Sequence, residues 1–240
     1  MTQVTMLIVF VIGTLALLIF LAWATFRSAR LIREIPADVN LLLLPAENIL
    51  RALLILACIG LGYISGLSFS QLGWSGVDLA RDIVTGFLAG IMLAVLLPPL
   101  THFAIRHFGP QIYSPLVILR VLPRMPHEWI FVPLALGSSV LLEELLFRSL
   151  LLGGFGFFLP PIFLAVAWSI LFGVMHLPQG TLGIIAAGAL GLILSALFLA
   201  TQSLIAPFIA HYAINLLQIV WASLDRNWLE DLVGDTRGNI

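Results

Sequence analysis

Five strongly ionisable side chains lie between residues 129 and 224, each within a long apolar run. A carboxylate or imidazole at bilayer depth costs several kcal/mol, so such residues usually face a protein interior or a water-filled cavity and serve a function. We therefore expect one buried site that combines these five residues with an asparagine amide: Glu143, Glu144, Arg148, His176, His211 and Asn215.

The two glutamates and the arginine form the first of three polar patterns. Residues four apart share a helix face, so Glu144 and Arg148 can form an ion pair, while Glu143, rotated by about 100°, faces elsewhere. The structural alternative is that both glutamates neutralise Arg148, but one arginine balances only one carboxylate. Adjacent like charges should also recruit another partner or disfavour one charge. We expect Glu144 to be structural and Glu143 to be free for chemistry.

Two histidines and an asparagine form the other two patterns. His176 follows Phe172 by one turn at the end of an apolar stretch, and it is either an interfacial side chain or a partner of Glu143. His211 and Asn215 lie one turn apart on one helix face, so both can donate hydrogen bonds to a single developing oxyanion. The structural alternative for this pair is a polar contact between two helices.

A carboxylate that activates water, a histidine beside it and two opposed donors would make a site for acyl-bond hydrolysis. The chain has no Gly-x-Ser-x-Gly turn and no His-Glu-x-x-His pattern, and its single Cys58 has no nearby histidine. Glu143, His176 and His211 could instead supply three ligands to a metal ion. A zinc mechanism therefore stays open.

Composition places this site in a membrane protein. Of the 240 residues 61% are hydrophobic and 10% are charged, and the mean hydropathy is +1.12. We predict an all-α, polytopic transmembrane bundle that forms a single integral membrane domain over 1–240. The chain has no lysine and no long basic run, so a nucleic acid partner is not expected.

Hydropathy predicts seven spans, or eight if the amphipathic stretch 113–122 also crosses the membrane. Arginines follow the first, third and last spans, which predicts an outside N-terminus and a cytoplasmic C-terminus. The small residues of 183–191 predict close helix contact, and the tail from Asp225 onward is expected to be loosely held. The predicted spans are 5–26, 48–69, 83–103, 129–155, 159–177, 181–201 and 204–224.

Together the three patterns resemble the signature motifs of the CAAX prenyl protease and bacteriocin-processing family, called CPBP or Abi. The resemblance lies in their order and in their places on separate spans, and it covers a predicted catalytic core of about 129–220. It implies an intramembrane endopeptidase of the glutamic type, acting without a cofactor on membrane-anchored or C-terminal peptides. A prokaryotic inner membrane is the expected location.

Each motif residue would then take the role of its family counterpart. The resemblance implies that Glu143 activates water, that His176 shares this water, and that His211 and Asn215 form the oxyanion hole. Glu144 and Arg148 would pair and hold the helix geometry. The two histidines fall toward opposite ends of their predicted helices, so they must converge for this mechanism to hold.

Two other classes of function remain as alternatives. A transporter or proton relay would use the same acidic and imidazole groups to pass protons, but it would need a polar path through the membrane. A non-catalytic immunity protein of the same fold would bind a partner instead of cleaving it. All six motif positions are intact, which favours the peptidase.

Overall fold

The computed structural model of the chain describes residues 2–32, 34–36, 39–76 and 78–238, with side chains to residue 233. The described residues form helices joined by turns and short irregular segments, with no strand among them, which confirms the predicted all-α fold class. The nine α-helices within these ranges are α1 (Gln3–Leu31), α2 (Pro45–Ile64), α3 (Leu79–Phe108), α4 (Leu116–Leu119), α5 (Glu128–Glu144), α6 (Pro161–Val174), α7 (Gly180–Thr201), α8 (Ile205–Leu224) and α9 (Arg226–Gly238).

Six helical segments among the described residues are long and apolar enough to cross a bilayer, and the protein is an integral membrane protein. They comprise α1, α2, α3, the continuous helix Glu128–Phe157 that begins with α5, the segment Leu177–Thr201 that contains α7, and α8. The fifth predicted span, 159–177, is not among these six; it corresponds to α6, which has only 14 residues. At 1.5 Å per residue α6 is about 21 Å long, less than the roughly 30 Å hydrocarbon core.

A π-helix over Leu145–Gly154 continues α5 immediately after the two glutamates. Nine of its ten residues are buried, and side chains from neighbouring segments hold it in place. Trp168 Nε1 of α6 donates to Leu151 O at 2.9 Å, and Ser149 Oγ donates to Leu72 O at 2.7 Å. π-Helical segments inside α-helices occur frequently at functional sites. The position of this segment directly after the two glutamates is therefore consistent with a functional site there.

Glycines let the helices that surround the site approach one another closely. A Cβ on Gly90 of α3 would lie 2.8 Å from Ala210 O of α8, so a larger residue would force these helices apart. A Cβ on Gly173 of α6 would lie 2.6 Å from Ile184 O of α7. The small residues expected at 183–191 also provide contact with α6, where Gly191 packs against Ser169 and Phe172.

Two weakly polar segments differ from expectation. The amphipathic stretch 113–122 contains only the single-turn helix α4, which is too short to form the eighth membrane span. The prediction of a loosely held tail is wrong, because residues after Asp225 form α9 and bury Leu229 and Leu232. The low overall hydropathy of this segment obscured an apolar face on which Leu229 packs into a buried cluster with residues of α5 and α8.

Candidate active site

A cavity of about 610 Å³ contains the four candidate catalytic residues in its lining: Glu143, His176, His211 and Asn215. Its walls come from α3 to α9, from the segments that join them and from Leu42 before α2. The two histidines therefore meet in one space, as the hydrolytic mechanism requires. Tyr113 also lines this cavity, and burial raises the pKa of its phenol to about 12, so the hydroxyl keeps its proton.

Arg148 ties the helix of the glutamates to two neighbouring helices. Its Nη1 lies 3.1 Å from Glu144 Oε1, and both side chains are buried, at 1% and 0% exposure. Its Nη2 donates to Gly191 O of α7 at 3.1 Å. Its guanidinium carbon also lies 4.9 Å from the ring centre of Phe172 on α6. The i,i+4 ion pair that the spacing predicts is thus present in the structure.

Glu144 has a second partner that the sequence did not identify. His211 Nδ1 lies 2.7 Å from the same Oε1 atom that approaches Arg148. The two residues are 67 positions apart, so no local spacing links them. The only sequence signal was the expectation that adjacent carboxylates recruit an additional partner. Glu144 therefore contacts a candidate catalytic residue directly as well as holding Arg148.

Hydrogen-bond roles follow from this contact. Glu144 is paired with a guanidinium, so its carboxylate accepts and His211 Nδ1 donates. His211 Nε2 lies 3.9 Å from Glu143 Oε2 and is a donor only when the ring is an imidazolium. Glu143 also interacts electrostatically with Arg51 and Arg148, so two guanidinium groups face the two carboxylates.

His176 has a defined tautomer when its ring is neutral. Its Nδ1 lies 2.7 Å from Phe172 O, and a carbonyl oxygen can only accept, so Nδ1 carries the proton. Nε2 then carries a lone pair and can accept a hydrogen bond from water. The Phe172 ring also stands between the two histidines, with ring centres 4.7 Å from His176 and 5.9 Å from His211.

Glu143 and Asn215 have polar side-chain atoms that make no hydrogen bond to a described residue. The Glu143 side chain is 33% exposed, and its Oε2 makes no hydrogen bond to any described residue. The Asn215 amide likewise has no side-chain hydrogen bond among those found for the described residues, although it lines the cavity. A carboxylate and an amide that line a cavity in this state are available to form hydrogen bonds with a bound molecule.

The three residues of the alternative metal site are not gathered into a recognisable ligand cluster. Within the described residues, no three or more His, Cys, Asp or Glu side chains form a group that could hold a metal ion. Both histidines direct Nδ1 to a carbonyl or carboxylate acceptor, which leaves Nε2 as the ring atom available to a ligand.

Comparison with known protein families supports the motif pattern. Residues 125–217 match the family model described as type II CAAX prenyl endopeptidase Rce1-like. The match is a similarity of this segment, and we call residues 125–217 the Rce1-like segment. The matched segment contains all six residues of the three motifs and confirms the resemblance to CAAX-processing proteases. The Rce1-like segment extends from just before α5 into α8, whereas α1 to α3 lie outside it. No curated protein and no solved structure matches the chain significantly.

Proposed function

We propose that the protein is an intramembrane endopeptidase of the glutamic type, in which Glu143 activates a water molecule. The observation that carries this proposal is the shared cavity: an unpartnered carboxylate, an imidazole acceptor and two potential donors converge within an Rce1-like segment. General-base activation by a carboxylate and charge stabilisation by opposed donors are together sufficient for peptide hydrolysis.

In this mechanism Glu143 takes a proton from water while the water oxygen attacks the scissile carbonyl carbon. His176 Nε2 accepts a hydrogen bond from the second water hydrogen and fixes the direction of attack. The carbonyl electrons move to oxygen, and this oxyanion accepts hydrogen bonds from His211 Nε2–H and the Asn215 amide. When the intermediate collapses, the C–N bond breaks and the protonated Glu143 returns its proton to the leaving amine.

Glu144 and Arg148 support this chemistry from outside the reacting atoms. Arg148 keeps Glu144 ionised and fixed between α6 and α7, through the contacts with Phe172 and Gly191. Glu144 in turn accepts from His211 Nδ1, which orients the ring and stabilises its imidazolium form. Glu144 is therefore a positioning residue for the oxyanion donor.

The proposed substrate is a membrane-anchored or C-terminal peptide, consistent with the CAAX-type match. The cavity lining combines apolar residues of α3 and α7 with the polar catalytic groups, which suits a peptide that carries an apolar portion. We propose that the enzyme acts without a cofactor in a prokaryotic inner membrane, with its N-terminus outside and its C-terminus in the cytoplasm. This orientation needs an odd number of crossings, so it requires that the 14-residue helix α6 completes a seventh crossing beside the six longer segments.

The decisive experiment compares wild type with Glu143→Gln on a panel of membrane-anchored peptides, each assayed with and without a zinc chelator. The amide cannot take a proton from water, so cleavage should stop while the fold persists, because this side chain is partly exposed. Glu47→Gln, the same change at an exposed position of α2, is the matched control and should retain activity. Cleavage by Glu143→Gln at the wild-type rate would refute the mechanism, and loss of wild-type activity with chelator would indicate a metal enzyme.

A further inference from the structure

One face of α8 carries polar side chains from the catalytic pair to the far end of the cavity. His211, Asn215 and Gln218 are separated by four and three residues, and Asp225 follows seven residues later, directly after the helix. Spacings of three, four and seven place residues on one helix face. All four line the same cavity, and we call them the α8 stripe.

Several polar side chains along this part of the cavity have no partner in the protein. The amides of Asn215 and Gln218 make no hydrogen bond to any described residue, and the same holds for the side chains of Thr101 on α3 and Gln179 before α7. These groups offer both donors and acceptors. An extended peptide needs such partners, because each of its residues brings one backbone N–H and one C=O into the cavity.

Asp225, the residue at the end of the α8 stripe, pairs its own carboxylate with His102. His102 Nδ1 lies 2.9 Å from Pro98 O, and its Nε2 lies 3.2 Å from Asp225 Oδ2. Both ring nitrogens thus face acceptors, so an imidazolium ring can donate a hydrogen bond to each of them. Trp228 of α9 stacks on this ring with centres 4.0 Å apart. No arginine or lysine is found among the described residues that line the cavity, so His102 supplies the cationic group at this end.

We propose, building on the peptidase activity proposed above, that the α8 stripe binds a substrate segment in extended form and that His102 binds a carboxylate of this segment. The substrate carboxylate takes the place that Asp225 holds in the structure. Asp225 and its partner are about half exposed, so exchange of one carboxylate for another requires no rearrangement of the core.

The length of the α8 stripe predicts how far the substrate carboxylate lies from the scissile bond. Asp225 follows His211 by fourteen residues, which corresponds to about 21 Å along a helix. An extended peptide spans about 3.3 to 3.6 Å per residue, so the carboxylate should lie about six residues from the scissile bond. A C-terminal carboxylate and an Asp or Glu side chain share this chemistry, and both can fill the site.

The test measures KM for purified full-length protein on peptides with three to nine residues after the scissile bond, each as a free acid and as an amide. We expect the free acid to have a KM about two- to fivefold lower than the amide, the range typical of an exposed ion pair, with the largest difference near six residues. An amidated nine-residue arm with Glu in place of Gln at the sixth position separates a side-chain carboxylate from a terminal one.

Two variants test whether His102 and Asp225 cause the difference in KM between free-acid and amide peptides. His102→Gln should give equal KM values for acid and amide, while Asp225→Asn, which removes the competing carboxylate, should increase the difference. His107→Gln, an exposed position on the same helix outside the cavity lining, should behave as wild type. An acid preference that persists in His102→Gln, or no preference at any length, would overturn this proposal while leaving the peptidase activity intact. Failure of a folded wild type to cleave any peptide would refute both.

Discussion

Replacing Glu144 with leucine and Arg148 with methionine, singly and together, separates two roles of one buried carboxylate. Glu144 Oε1 contacts Arg148 at 3.1 Å and His211 at 2.7 Å, so it serves both the helix ion pair and the proposed oxyanion donor. The sequence predicts only the first role. The structure adds the second, and the double variant distinguishes them.

The size of each effect follows from burial. Glu144 and Arg148 are 0% and 1% exposed, and removing one member of a buried ion pair typically costs about 3 to 5 kcal/mol because the other charge is left uncompensated. Replacing both with apolar residues of similar volume is often neutral. We therefore expect each single variant to lose about 3 to 5 kcal/mol of stability and the double variant to recover most of it.

Activity should not recover in the double variant. His211 Nδ1 still lacks its acceptor, so the ring loses both its orientation and the charge that supports a donating Nε2. Removing the orienting carboxylate from a catalytic histidine can cost as much as about 10⁴-fold, and we expect at least about 100-fold in kcat here. The assay pairs thermal unfolding in detergent with peptide cleavage for wild type and all three variants.

Recovery of both stability and activity in the double variant would refute this reasoning. Such a result would mean that Glu144 serves only to balance Arg148 and that its contact with His211 has no catalytic role. A double variant as unstable as either single variant would instead contradict the charge-balance argument.

Three further predictions concern the packing and the water position. Gly90→Leu should destabilise the fold by about 1 to 3 kcal/mol or more through overpacking. Gly60→Leu should not destabilise it, because a Cβ at that position meets no atom within 4 Å, and equal thermal stability of the two variants would contradict this prediction. Ser149→Ala leaves the buried Leu72 carbonyl without its donor and should lower the free energy of unfolding by about 1 to 3 kcal/mol, measured by chemical denaturation. His176→Gln should lower kcat by about 10²- to 10⁴-fold with little change in KM, and an unchanged kcat would exclude its role beside the attacking water.

The sequence by itself determined the membrane class, the helical fold and the approximate positions of the long apolar helices, because these depend on local composition and on the need to satisfy every backbone group inside its own segment. It also predicted the pairing of Glu144 with Arg148, since four-residue spacing acts within one helix. It failed for α9, where a polar composition concealed the apolar face that buries Leu229.

Only the tertiary structure decided which faces of distant helices meet. The contact between Glu144 and His211, the convergence of His176 with them and the cavity that joins the site to Asp225 all depend on how α5 to α8 pack. Close approaches such as that of Gly90 set this packing, and spacing along the chain cannot specify their rotation and depth. Local periodicity fixes which residues share a helix face, whereas side-chain packing between helices fixes what that face contacts.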